Sequence, residues 1–233
     1  MRKVFLSAIH WHHSRTLVVQ DRPMHIDALY AGKPAPFGPR GAPSSIRKTP
    51  RDSLTVYTHG TAEDEQGNKK LHGGPEKVLH HFSLASYATL REHFPEVDFA
   101  RGSIGENLTV PGMHDDAIYI GDVWQLGEVQ VQVSAPRAPC NKISHRYGVK
   151  NLDRFVGSAG ITGWYYRVIT PGQIKVGDAV RRLSRETDTV SVQALMRCVY
   201  NKTDTESARR YAQLAVLDDE WREKCERVAS RQT

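Results

Sequence analysis

No glycine or proline follows Gly177; all 18 glycines and 12 prolines fall in the first 177 of the 233 residues. These residues mark turns and interrupt helices, so the chain divides into a turn-rich body and a turn-poor tail. In the body, short runs such as 54–57, 123–126, 128–133 and 164–169 stand between Gly and Pro turns. Many short strands so bounded predict a mainly β, barrel-like domain with a few helices over residues 1–185, with residues 1–27 as an N-terminal extension. Helical periodicity takes over near Arg185. Val192, Leu195, Met196 and Val199 mark one helix, and Ala208, Tyr211, Ala212 and Ala215 a second. Trp221, Cys225 and Val228 mark a third, with Asp218 as its N-cap. Three short amphipathic helices bury their faces only together, so residues 186–233 are expected to form a three-helix domain.

Within the body, residues 4–9 and 16–20 read as a strand pair. His10-Trp11-His12-His13 between them has no Cys, Asp or Glu at ligand spacing, so exposed polar residues explain it better than a metal site. Residues 31–43, rich in Gly and Pro and carrying Lys33 and Arg40, exclude helix and central strand, and their length suits a lid. Residues 45–48 and 54–57 are expected as strands, with Lys48 at a strand end. Ser83 is a good N-cap for a helix to Phe94, stopped by Pro95, with Leu84, Tyr87, Leu90 and Phe94 inward. A short helix is expected over 151–156, and Asp122 is expected to cap a turn.

The chemistry concentrates in Ser134-Ala135-Pro136-Arg137-Ala138-Pro139-Cys140-Asn141-Lys142. Residues 128–133 carry Val at every second position, as a half-buried strand does. Two prolines then break the strand and stiffen a loop presenting Arg137, Cys140, Asn141 and Lys142. Neighbouring cations favour a thiolate, which suits a soft metal; a structural Cys beside surface charges fits the same residues. Glu63-Asp64-Glu65-Gln66 is either an acidic surface turn or a source of proton carriers and acceptors for a substrate amine. His72-Gly73-Gly74, with Lys77 nearby, can bring backbone N–H groups close to an anion. Glu106 beside Asn107, at the start of a strand-like run, suggests a polar pocket wall, since a core Glu is costly unless paired. His80 and His81 receive no role.

Ser45-Ile46-Arg47-Lys48, Leu71-His72-Gly73-Gly74-Pro75-Glu76-Lys77, Gly105-Glu106-Asn107-Leu108-Thr109-Val110, Ile120-Gly121-Asp122, Pro136-Arg137-Ala138-Pro139-Cys140, Gly163-Trp164-Tyr165 and Pro171-Gly172-Gln173-Ile174-Lys175-Val176-Gly177-Asp178 occur in this order. The series resembles the MOSC domain, the molybdenum-cofactor family, and within it the YiiM-type 6-hydroxylaminopurine reductases. The resemblance implies a MOSC-type β-barrel and a molybdenum cofactor (Mo-pyranopterin), with Cys140 as the protein ligand to Mo and no need of pyridoxal phosphate. The implied reaction is oxygen-atom transfer that reduces a small N-hydroxylated base or amine, such as 6-hydroxylaminopurine, to the amine. Lys48, His72, Gly73, Gly74, Lys77, Asn107, Arg137, Asn141 and Lys142 would then hold the anionic cofactor, while Asp64, Glu65 and Glu106 handle protons and substrate amines.

Two other readings remain open at this stage. A sulfur carrier would use a Cys140 persulfide. A basic nucleic-acid module is suggested by the net charge of +6 and pI of about 9.3, but no aromatic-interleaved basic patch supports it, and charges of both signs alternate through the C-terminal third. Three cysteines without regular spacing argue against a disulfide framework. They are also too few for a four-thiolate iron–sulfur cluster, and no Gly-x-Gly-x-x-Gly follows a strand, so electrons are expected from a separate flavoprotein reductase. No apolar run approaches the ~20 residues that span a bilayer, and the basic N-terminus has too short an apolar run for a secretory signal. A cytoplasmic, membrane-free location is the expectation.

Overall fold

The computed structural model describes residues 24–67 and 73–231. The strand pair expected over 4–9 and 16–20, the histidines between them and His72 lie outside the described residues. Short strands dominate the first part: β1 (Met24–His25), β2 (Ala28–Ala31), β3 (Ala35–Phe37), β4 (Ala42–Ser44), β5 (Thr49–Arg51), β6 (Ser53–Tyr57) and β7 (Gly60–Thr61). A single 3-10 turn (Pro75–Lys77) precedes β8 (Leu79–His81), α1 (Leu84–His93) and β9 (Leu108–Thr109). Next come β10 (Val123–Leu126), β11 (Val129–Pro136), α2 (Lys142–Tyr147) and α3 (Leu152–Ala159). The barrel ends with β12 (Trp164–Thr170), β13 (Gly172–Lys175) and β14 (Ala179–Ser184), and the tail is α4 (Val192–Asn201), α5 (Thr205–Tyr211) and α6 (Asp219–Ala229).

Nine strands form one sheet in the order β1-β14-β10-β11-β12-β8-β9-β2-β5, antiparallel except for the β8–β9 pair. It curls into a half-barrel, flanked by a three-stranded sheet, β13-β6-β7, and the β3-β4 hairpin. The fold is therefore mainly β with some helices, as the turn spacing suggests. Val129, Val131 and Val133 are fully buried on the inner face of β11, as their alternation requires.

Two local expectations are corrected. Residues 45–48 are not a strand; they form an irregular link from β4 to β5, in which the Ser45 hydroxyl donates to Glu65 O and Ile46 N to Ser44 Oγ. The second tail helix, expected over Ala208, Tyr211, Ala212 and Ala215, ends at Tyr211, and Ala215 is exposed in the turn beyond it. Residues 31–43 hold no helix, and the β3-β4 hairpin that they begin lies outside the nine-stranded sheet, as expected. Pro136 is the last residue of β11, where it pairs with Trp164, and the loop of Arg137 and Cys140 begins just past it, as the two prolines suggest. β10 stops pairing at Gln132, so the missing Pro136 N–H falls where the strand has lost one neighbour. Other expectations match closely. Ser83 Oγ accepts from Ser86 N at 3.1 Å, α1 ends one residue before Phe94, and Asp218 caps α6 by accepting from Trp221 N. Asp122 accepts from Tyr119 N at 3.1 Å.

The tail helices share one apolar cluster with the barrel: Val192, Leu195, Met196, Trp221 and Cys225 join Val131, Val133 and Trp164. Polar bonds cross the same seam, from Asp218 N to Ser134 O at 3.1 Å and from Arg167 Nη2 to Val216 O at 2.8 Å. A smaller apolar cluster, including Tyr87, Leu90, Phe99, Ile143 and Val156, joins α1, α2 and α3. Among the described residues no helix is long and apolar enough to cross a membrane.

We propose the boundary near residue 185 as a change of element type across a shared core. Truncation after Leu183 is then expected to lower the thermal midpoint sharply or to abolish cooperative melting by circular dichroism. An unchanged midpoint would mean that residues 186–233 form a separable domain.

Candidate active site

β11 carries the Cys140 loop to one end of the sheet. There the loop turns into α2, a helix the sequence reading does not anticipate. Arg137 N donates to Gly163 O at 3.0 Å, extending the β11–β12 pairing by one bond. Gly163 has φ +69°, and a Cβ there would sit 2.1 Å from His81 O, so the turn admits only glycine. With its backbone fixed, the Arg137 side chain is 7% exposed and hydrogen-bonded to Cys140 and Tyr165. Burial opposes its charge, but Cys140 and Tyr165 outweigh burial and raise its pKa. Burial pushes the Tyr165 hydroxyl up to about 12. Cys140 itself is half-buried.

Facing this loop is a buried ion pair. Lys48 Nζ lies 2.7 Å from Asp64 Oδ2, with the two side chains 5% and 4% exposed. Asp64 Oδ1 accepts from Gly32 N at 2.8 Å and Oδ2 from Asn107 Nδ2 at 3.0 Å. Asn107 Oδ1 accepts from His80 N at 3.0 Å. Burial lowers the Lys48 pKa against the pull of Asp64. Burial, then the charges of Arg137 and Lys48, hold His80 well below its usual range, so its ring is neutral.

Between loop and ion pair lies an open cleft. Lys48, Asp64, Lys77, Asn107, Arg137, Cys140 and Lys142 line it, as the sequence reading expects. Other expected residues stand elsewhere. Glu106 is fully buried, and its carboxylate accepts from Tyr87 Oη at 2.5 Å, Gly102 N at 2.6 Å and Ile104 N at 3.1 Å. Those bonds tie the carboxylate to the base of α1 and away from the cleft wall. Glu65 is half-buried, with its main chain bonded to Gly32 and Ser45. Asn141 is exposed ahead of α2, and Gly73 and Gly74 precede the 3-10 turn outside the lining.

The wall also contains His80, Tyr165, Ser44 and Gln66, which the sequence reading does not assign. Strand period two separates the adjacent histidines: His80 lines the cleft, while His81 stacks on Trp164 at 4.2 Å in the barrel. Burial takes the His81 pKa down to about 3.

A curled, mainly β half-barrel with a cysteine loop and a cationic cleft at one end is the architecture of a MOSC-type domain. The family model described as MOSC domain matches residues 68–181, and the chain belongs to this family. It is 32% identical over 196 residues to Protein YiiM of Escherichia coli (strain K12), covering 83% of this chain and 87% of that one. It is 34% identical over 160 residues to a protein named Reductase from Gibberella moniliformis, covering 67% of this chain and 28% of that one. Among solved structures, YiiM from Geobacillus stearothermophilus matches with a TM-score of 0.74 and 25% identity, covering 89% of this chain and all of that one. These similarities set the chain among the MOSC-domain proteins.

Behind the cleft, buried Asp115 accepts from Gly163 N at 2.7 Å and Ser86 Oγ at 2.8 Å. Burial raises its pKa from 3.8 to about 6, against those bonds. The folded state thus binds a proton more tightly than the unfolded state. The resulting stabilisation is complete below the unfolded value and is lost as pH rises through about 6. In urea titrations at pH 4 and pH 7, the stability of the wild type relative to Asp115→Asn is expected to fall with rising pH, by about 3 kcal/mol at most. A pH-independent difference would overturn this account.

Proposed function

We propose that the chain is a molybdenum-cofactor oxidoreductase that reduces N-hydroxylated bases or amines, such as 6-hydroxylaminopurine, to the amine. The observation that carries the reading is Cys140 in a cleft whose wall holds Lys48, Lys77, Arg137 and Lys142. The donor set fits the cofactor. One soft sulfur suits the metal, and several cations suit a phosphate-bearing organic ligand. Among the described residues no cluster of three or more His, Cys, Asp or Glu could hold a metal ion, which suits a metal that brings further donors of its own. When bound, the cofactor supplies the oxygen-atom-transfer chemistry.

The protein's part is binding, orientation and protons. Arg137 holds the Cys140 sulfur by a hydrogen bond and sets a positive charge beside it. Reduction of an N-hydroxyl group to an amine and water consumes two electrons and two protons. Lys48 can deliver a proton from Nζ, since burial lowers its pKa. Asp64 would orient Lys48 and accept from the substrate amine, whereas Glu106, bonded away from the cleft, serves the fold. The electrons come from a separate flavoprotein reductase.

Cys140→Ser is expected to abolish reduction of an N-hydroxylated purine with an artificial electron donor, and to lose molybdenum while keeping the wild-type circular dichroism spectrum. A serine hydroxyl is a hard, rarely ionised donor. Cys198→Ser and Cys225→Ser should keep activity. Cys225 is fully buried, so its hydroxyl replacement should cost about 1–3 kcal/mol. Full activity in Cys140→Ser would overturn the ligand assignment, and persulfide transfer by metal-free protein would support a sulfur carrier instead.

Turnover by the purified chain is expected to need an added reductase. Sustained NADH or NADPH oxidation by this protein alone would refute the separate donor.

A further inference from the structure

Lys77 is 7% exposed and lines the cleft. Its Nζ donates to Glu220 Oε2 on α6, whose other oxygen accepts from Lys224 Nζ at 2.5 Å. Burial raises the Glu220 pKa, but Lys224 and Lys77 outweigh burial and hold the carboxyl below its usual range. The neighbouring residue is fastened to the tail as well. Glu76 Oε2 accepts from Arg167 Nε at 2.7 Å, and the same guanidinium donates to Val216 O. Glu76 O also accepts from the Ser134 hydroxyl, while Ser134 O accepts from Asp218 N. The 3-10 turn that brings Lys77 to the cleft is therefore tied to α6 directly through Lys77 and to the link before α6 through Glu76 and Arg167.

We propose that Glu220 sets how much of the Lys77 charge the cleft presents to an anionic ligand, so that helix α6 tunes anion binding beside Cys140. This rests on the reading of the cleft as an anion-holding site. An ammonium in contact with a carboxylate shows the cleft a dipole, while a released ammonium shows it a full charge. Neutralisation is partial, because the Glu220 side chain is 36% exposed and solvent screens it. Glu220 is thus a positioning residue: it touches no ligand and acts through Lys77.

The test compares alkylation of Cys140 by iodoacetate, an anion, and by iodoacetamide, its neutral analogue, in the full-length chain freed of cofactor. The labelled cysteine is identified by peptide mass. The ratio of the two rates reports the potential at the thiol and is insensitive to modest changes in stability. Glu220→Gln is expected to raise the ratio by about threefold at low salt, with the gain fading as salt is added. Glu223→Gln removes the same charge from the same helix, but Glu223 pairs with Arg227 on its exposed side, so the ratio should not change. Lys77→Met should lower the ratio, and Glu220→Gln should add nothing in that background. If Lys77→Met lowers the ratio while Glu220→Gln leaves it unchanged, the tuning role falls and the anionic cleft stands. If neither Lys77→Met nor Arg137→Met changes it, the reading of the cleft falls and the proposal with it.

Discussion

The buried contact between Lys48 and Asp64 is the constraint on which the cleft depends. Desolvating two opposite charges costs several kcal/mol per ion, and Coulomb attraction offsets this only when the remaining hydrogen-bonding capacity is satisfied. The structure meets that condition by spending both Asp64 oxygens, on Gly32 N, Lys48 Nζ and Asn107 Nδ2. Asn107 uses its own oxygen on His80 N, and its backbone bonds Tyr30 and His80. Four segments distant in sequence, around residues 32, 48, 64 and 107, are thereby locked into one wall by polar bonds. Removing either charge would leave its partner buried and unpaired, which is far costlier than losing an exposed pair.

That wall explains why the cleft can be polar inside a mainly β protein. The larger apolar cluster fills the barrel and runs into the tail, while the smaller lies under α1, α2 and α3. Ile46 belongs to the smaller cluster and also lines the cleft, so the site opens beside it. Arg137 is the complementary anchor on the other wall. Its backbone continues the sheet, and its buried guanidinium can face Cys140 and Tyr165 because both accept from it.

The elements legible in the sequence are those whose signal is local. The Val129, Val131, Val133 alternation, the Ser83 cap of α1 and the periodicity of the first and third tail helices each express burial or capping within one element, and each matches the structure. The site was half legible. Cys140, Arg137, Lys48 and Asp64 are readable from residue type and family motif. The assignments that differ turn on long-range partners. Glu106 has the residue type of a pocket acid, but Tyr87 and two backbone N–H groups take up its carboxylate. Ser45 belongs to a β-like run, yet its hydroxyl bonds Glu65 O and residues 45–48 stay irregular. His80 and His81 cannot be ranked without knowing which face of β8 meets the cleft.

The tail shows how composition and function come to be joined. Its helices lack the glycines and prolines of the barrel and look independent in sequence, yet they reach the cleft wall through Glu220 and Lys77. Packing against β11 carries this connection. The barrel strand that delivers Arg137 and Cys140 also bonds the start of α6 through Ser134 O and Asp218 N. One strand therefore positions the thiol and the helix that bears a counter-charge to the site. The charge beside the thiol and the counter-charge on α6 thus share β11 as a support.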